Sequence, residues 1–230
     1  MKSKFWLILF IADAILFIFS DYSKWNEIHV VTKPLLTIIL IFHCFRRINK
    51  KNKIIFLLLS ALFFSCLGDI FLLFENKNPN WFIFRLGSFL IAHIFYITLF
   101  IQIKKINQPH KKLNLIIGVI ISAYTIFLFL LLKQTLGDLK IPVLLYATVL
   151  SIMLIASLHA FDLSKQVAGR LCAIGALLFL ISGSLLAINK FYTPFAFADL
   201  IVMCTYASAQ LLIVLGATKY LKESRRAIRT

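Results

Sequence analysis

Eight stretches of this sequence, near residues 4–20, 27–45, 54–74, 81–103, 113–132, 141–160, 167–189 and 195–218, are long apolar runs that show no regular alternation. A membrane-crossing helix needs about 17–25 mostly apolar residues, and each run reaches that length. A helix that is apolar on every side belongs in lipid or in a deep core, and a 230-residue chain cannot surround so many core helices. A β-barrel would instead show alternating segments of roughly ten residues, which are absent. The runs therefore predict an all-α fold: a polytopic bundle of eight transmembrane helices, forming a single integral membrane domain over residues 1–230. Composition agrees, because 61% of residues are hydrophobic and mean hydropathy is +0.92, whereas soluble domains are nearer half apolar.

The formal net charge of +16 raises the question of a nucleic-acid partner. Its distribution argues against one. When loops are assigned alternately to two sides, one side receives only Lys24, Lys77, Lys133, Lys140 and Lys190. Most other Lys and Arg collect at the N-terminus, at 46–53, 104–112 and 161–170, and in the tail from Lys219. Positive residues mark the cytoplasmic side, so both termini are expected there, in a bacterial-type inner membrane. Anionic lipid and topology account for the basic excess. Lys2 and Lys4 before the first run resemble a signal sequence, but no small-residue cleavage site follows and Asp13 interrupts the run, which predicts an uncleaved helix. Cys44, Cys66, Cys172 and Cys204 fall within spans without metal-ligand spacing. No cofactor or metal is expected.

Ionisable residues inside spans are costly and mark functional positions. The candidates are Asp13, Lys33, His43, Asp69, Arg85, His93 and Asp199. With the N-terminus inside, Lys33, Asp69, Arg85 and Asp199 all lie a turn or more below the outer surface, and His93 lies deeper. Arg85, His93 and Tyr96 share one face of the fourth helix, and Asp199, Met203, Tyr206 and Gln210 share one face of the eighth. Ser65 precedes Asp69 by one turn. These stripes suggest a polar cavity open to the outer leaflet. The alternative is packing by ion pairs, Asp69 with Arg85 and Asp199 with Lys33. Asp13 and His43 match no stripe and are read as structural. Small residues of the seventh helix, including Ser182, Gly183 and Ser184, suit either close packing or a cavity wall.

The ordered motifs resemble the YhhN-like lysoplasmalogenase family. Ser65-Cys-Leu-Gly68-Asp69-Ile-Phe-Leu72 with Phe84, Gly87, Phe89, His93, Tyr96 and Phe100 is similar to its first block. Gly175-Ala-Leu-Leu-Phe179, Ser182, Ser184-Leu-Leu-Ala187 and Phe191 are similar to its second. Pro194-Phe195, Ala198-Asp199-Leu200, Thr205-Tyr206, Ala209-Gln210 and Gly216 are similar to its third; Thr32-Lys33-Pro34-Leu35 and Tyr146-Ala147 also fit. One position departs: the family's Ser-Asp-Ser reads Ser182-Gly183-Ser184 here.

The resemblance implies hydrolysis of the vinyl ether of a lysoplasmalogen, a lysophospholipid, to a fatty aldehyde and a glycerophospho-base. Such a bond breaks when an acid protonates the β-carbon, leaving an oxocarbenium-like cation that water traps. The reaction needs an acid, a carboxylate for the cation or the water, and an apolar slot. In this reading Asp69 is the acid and Asp199 the second carboxylate, with their exchange open. His93 and Tyr96 orient them, Lys33 or Arg85 holds the phosphate, and Tyr206, Gln210 and Ser182 line the substrate site. Two other classes stay open: a non-catalytic lysolipid binder or sensor, which Gly183 favours, and a small-molecule or lipid transporter. No nucleotide loop or Gly-x-Ser-x-Gly elbow is present. The prolines are read as lying at helix starts or in loops, without the broken helices of many transporters.

Overall fold

A computed structural model of the protein describes residues 5–22, 26–46, 52–75, 78, 80–108 and 115–227, and the described residues contain helices and no strands. The helices are α1 (Phe5–Tyr22), α2 (Asn26–Arg46), α3 (Lys53–Leu72), α4 (Asn80–Asn107), α5 (Leu115–Leu132), α6 (Lys140–His159), α7 (Val167–Phe191) and α8 (Ala198–Ala227). A 3₁₀ turn, Gly137–Leu139, leads into α6, with Gly137 at φ +51°. Each predicted run corresponds to one helix. Six helices, α3 to α8, are long and apolar enough to cross a membrane, whereas α1 and α2 contribute the shorter apolar stretches Phe5–Ser20 and Val31–Phe45. The protein is an all-helical, multi-pass membrane protein.

Burial follows the rule for lipid. Large apolar side chains face outward, among them Phe56, Phe63, Ile116, Phe127 and Ile141. Polar side chains such as Thr37, Ser65, Asp69, His93 and Gln210 are buried. A soluble protein would leave such apolar surface open to water at great cost.

The chain divides into two compact units, Met1–Phe95 and Tyr96–Thr230, and α4 contributes to both. In the first unit α2 lies against α1 and α3. Antiparallel α3 and α4 meet through Phe64 on Phe95 (ring centroids 5.6 Å, stacked), Phe89 on Gly68, and Phe71 on Phe84 (6.2 Å). Phe71, Phe74, Trp81 and Phe84 form an aromatic cluster beside the turn. The close approach at Gly68 needs glycine, since a Cβ there would stand 2.7 Å from the Phe89 ring.

In the second unit α5, α6 and α7 are neighbours, and α7 packs most intimately on α8. Hydrocarbon packed in hydrocarbon gains little from the hydrophobic effect, so helix pairs in lipid rely on dispersion between closely approaching backbones. Glycine provides that approach. A Cβ on Gly175 would lie 2.9 Å from the Ala209 carbonyl, and one on Gly216 would lie 2.7 Å from the Ala168 carbonyl. Beyond α6, Asn107 and Gln166 exchange amide hydrogen bonds of 2.8 and 3.0 Å, and Asn107 also donates to the Ala160 carbonyl.

Because the obstacles at Gly175 and Gly216 are backbone atoms, Gly216→Leu should force α7 and α8 apart and destabilise the fold by about 1–3 kcal/mol or more. Thermal unfolding of the purified protein in detergent would show a lowered midpoint. An unchanged midpoint would mean that the helix pair is not held by this contact.

Candidate functional site

In the first unit the central group is Asp69, near the end of α3 and 4% exposed. Its Oδ2 accepts a hydrogen bond of 2.9 Å from the Thr37 hydroxyl of α2. Thr37 follows Lys33 by one turn, so both share a face of α2. Lys33 lies with its ammonium 5.5 Å from the centre of the Phe17 ring of α1, a cation–π arrangement. Pro34 stands inside α2, not at a helix start as the sequence reading had it. Its missing N–H removes one helical hydrogen bond in the turn before Thr37. The Cys66 thiol points toward the Pro34 carbonyl at 4.0 Å.

Arg85 does not pair with Asp69. Its guanidinium bonds Glu75 at 2.9 Å, in an ion pair that is largely buried. Glu75 lies just past the end of α3, where the helical hairpin brings it to the first turns of α4. His93, fully buried, donates from Nδ1 to the Phe89 carbonyl. A carbonyl only accepts, so Nδ1 carries a proton in this contact.

Two further residues of this unit stand out. Asp13 is buried on α1, on the face that carries Phe10 and Phe17, and neither carboxylate oxygen has a hydrogen-bond partner among the described residues. His43 lies against Trp6, with ring centroids 3.6 Å apart. Ser65 is fully buried, and its hydroxyl has no hydrogen-bond partner among the described residues.

In the second unit the expected stripe closes into a chain. The Tyr96 hydroxyl donates to Gln210 Oε1 at 2.5 Å, and Gln210 Nε2 donates to the Tyr206 hydroxyl at 3.2 Å. Phe179 packs its ring against both tyrosines, at 5.9 and 5.7 Å between centroids. The three residues of the Ser182-Gly183-Ser184 block address three different helices. Ser182 donates to the Val202 carbonyl of α8 at 2.9 Å. A side chain at 183 would meet α6, with Leu150 Cδ1 at 2.8 Å and Tyr146 at 3.5 Å. Ser184 accepts from the Tyr124 hydroxyl of α5 at 2.8 Å and donates back to the Leu180 carbonyl.

Asp199 is placed differently from expectation. It was read as four to six residues inside the eighth helix, but α8 begins at Ala198 and Asp199 is exposed in its first turn. Phe197, at φ +57°, ends the preceding irregular segment, and its carbonyl accepts the first helical hydrogen bond from Ile201. Hydropathy could not mark this start, because Phe195, Ala196 and Phe197 are as apolar as the helix they precede. The anionic end of Asp199 also suits a helix N-terminus.

The structure thus brings together Tyr96, Tyr206 and Gln210 as the helical spacing implied, and it places Ser182 in a helix-packing contact. Sequence reasoning missed Thr37 as the partner of Asp69 and Glu75 as the partner of Arg85. Thr37's position one turn beyond Lys33 was the available signal; Glu75 had only its place in the turn. Among the described residues no group of three or more His, Cys, Asp or Glu could hold a metal ion.

The sequence model of the YhhN family matches residues 28–217. The chain is 30% identical over 218 residues to lysoplasmalogenase TMEM86B of Rattus norvegicus, covering 93% of this chain and 84% of that protein. It is 33% identical over 163 residues to lysoplasmalogenase TMEM86B of Homo sapiens, covering 71% and 64% of the two chains. A lysoplasmalogenase of Mycobacterium tuberculosis is 26% identical over 163 residues, covering 69% of this chain and 59% of that one. No solved structure matches the chain. With one family model accounting for most of its length and a relative aligned nearly end to end, this chain belongs to the YhhN family.

Proposed function

We propose that this protein is an intramembrane hydrolase that cleaves the vinyl ether bond of a lysoplasmalogen-type lysophospholipid. The lysoplasmalogenase relatives support the substrate class. The observation that carries the chemistry is Asp69: a carboxyl group buried within an apolar span and held by a hydroxyl donor. Few groups other than a working acid justify that placement in lipid.

In this reading Asp69 protonates the β-carbon of the vinyl ether, and the resulting cation is trapped by water. The hemiacetal then collapses to aldehyde and alcohol. Asp199, exposed in the first turn of α8, is the second carboxylate, which steadies the cation or the water. Lys33 or Arg85 attracts the lipid phosphate; Glu75 fixes the Arg85 guanidinium through one nitrogen, and its remaining donors suit a phosphate. His93 and Tyr96 orient the reacting groups, while Tyr206, Gln210 and Ser182 wall the substrate site. The lipid reaches the site from the bilayer, and no cofactor enters the chemistry.

Gly183 supports a second reading, that of a lysolipid-binding homologue without turnover. The space beside it is filled by Leu150, a hydrocarbon, where the family resemblance leads one to expect a carboxylate.

Asp69→Asn should lower aldehyde release from lysoplasmalogen by about a hundredfold or more with the melting midpoint retained. Thr37→Val, which removes only the hydrogen bond, should cost on the order of tenfold. Aldehyde and fatty-acid detection on the vinyl ether and the ester-linked lysolipid checks both, and an undiminished Asp69→Asn rate would end the assignment. Asp199→Asn in the same assay tests the division of roles, because loss of turnover as complete as at Asp69 is the expected result.

Position 183 gives a separate expectation. Gly183→Asp alone should destabilise, since it sets a carboxyl group against the Leu150 hydrocarbon. Combined with Leu150→Ala it should be accommodated. Saturable lysolipid binding by the natural chain, with turnover appearing only in that double variant, would establish the binding reading instead.

A further inference from the structure

Many hydroxyl side chains in these helices turn back on their own backbone. Thr125, Ser151, Ser157, Ser184, Thr205 and Thr218 each donate to a carbonyl three or four residues earlier. This is the usual recourse of Ser and Thr in a membrane helix, where no water competes for the proton. Ser65 is an exception. It is 0% exposed, and its Oγ makes no hydrogen bond among the described residues, not even to the carbonyl one turn back. A hydroxyl kept wholly out of lipid and away from its own helix calls for a partner, and none of the described side chains supplies it.

Its surroundings define that partner. Ser65 lies one turn before Asp69, on the same side of α3. The Phe64–Phe95 and Gly68–Phe89 contacts fix the α3–α4 register and set Ser65 level with Ala92 and His93, both fully buried. A hydroxyl donor and a carboxyl group thus stand one turn apart on one side of α3. A small molecule that accepts from the first and donates to the second matches that pair, and water is the one this chemistry consumes.

We infer that Ser65 is a positioning residue for the hydrolytic water. The inference rests on the hydrolase reading and deepens it. Ser65 donates to the water oxygen, which leaves the water's own hydrogens to face Asp69. Asp69 first gives its proton to the β-carbon, and the C=C pair forms the new C–H bond, leaving the cation at the ether-bearing carbon. The water oxygen bonds that carbon while its proton passes to the Asp69 carboxylate, which restores the acid. The hemiacetal hydroxyl proton then moves to the ether oxygen as the C–O bond breaks, giving one aldehyde and one alcohol per water consumed. Asp69 serves in turn as acid and base.

The test uses the full chain purified in detergent, with lysoplasmalogen as substrate and aldehyde as readout. Ser65→Ala should lower kcat about 10- to 100-fold with KM unchanged, since it misplaces the water and not the lipid. Ser65→Thr, which keeps the hydroxyl, should recover most of that loss, a rescue that a packing role would not give. If Ser65→Ala keeps the natural kcat while Asp69→Asn is inactive, the positioning role is wrong and the hydrolase reading stands. Should Ser65→Ala fail to fold, a folded Ser65→Thr with kcat reduced as far as predicted for alanine overturns the role equally. A natural chain that releases no aldehyde at all removes both readings.

Discussion

Lipid offers a polar side chain nothing to bond with, and this constraint orders nearly every contact in the protein. Thr37 meets Asp69, Glu75 meets Arg85, and Tyr96 with Tyr206 meets Gln210. Each pairing ties one helix, or one helix end, to another at a defined register. Exposed apolar side chains carry no such information, because one lipid-facing leucine or phenylalanine serves as well as the next. Specificity in this fold therefore resides in its few buried polar contacts and in the glycines that admit close backbones.

The two proposed carboxylates occupy contrasting surroundings. Asp69 is enclosed and held by a threonine hydroxyl; Asp199 stands exposed at the start of α8. Vinyl ether hydrolysis asks unlike things of its acid and of the group that faces the cation, so an asymmetry of this kind suits a division of labour. The neighbouring α2 adds to the difference, since Pro34 interrupts its hydrogen bonding one turn before the threonine that holds Asp69.

The helices were legible because apolar length alone dictates them, and each predicted run met one helix. Uniform hydropathy hides helix ends. Phe195 to Phe197 look helical by composition, yet α8 begins only after Phe197, whose φ is positive. Proline favours the first turn of a helix, yet the apolar run on both sides of Pro34 carries α2 through it. Polar residues on one helix face, such as Tyr206 and Gln210, could be read from spacing of three and four. Spacing put Thr37 on the face of Lys33 but could not name Asp69 as its partner, nor Glu75 as that of Arg85, because a bond between helices depends on how far one slides and turns against the other. Membership of the YhhN family was legible from the order of the motifs.

The glycines of α7 and α8 fall into two kinds according to what stands opposite them. Gly175 and Gly216 face carbonyl oxygens of the neighbouring helix, which cannot move without moving the helix itself. Gly183 faces the tip of one leucine side chain. Scaffold and chemistry are thereby separated within a single helix. The backbone contacts fix how α7 lies, while the group presented toward α6 can be exchanged by altering two side chains. A protein designer could use that separation to vary the reactive lining of the second unit on an unchanged frame.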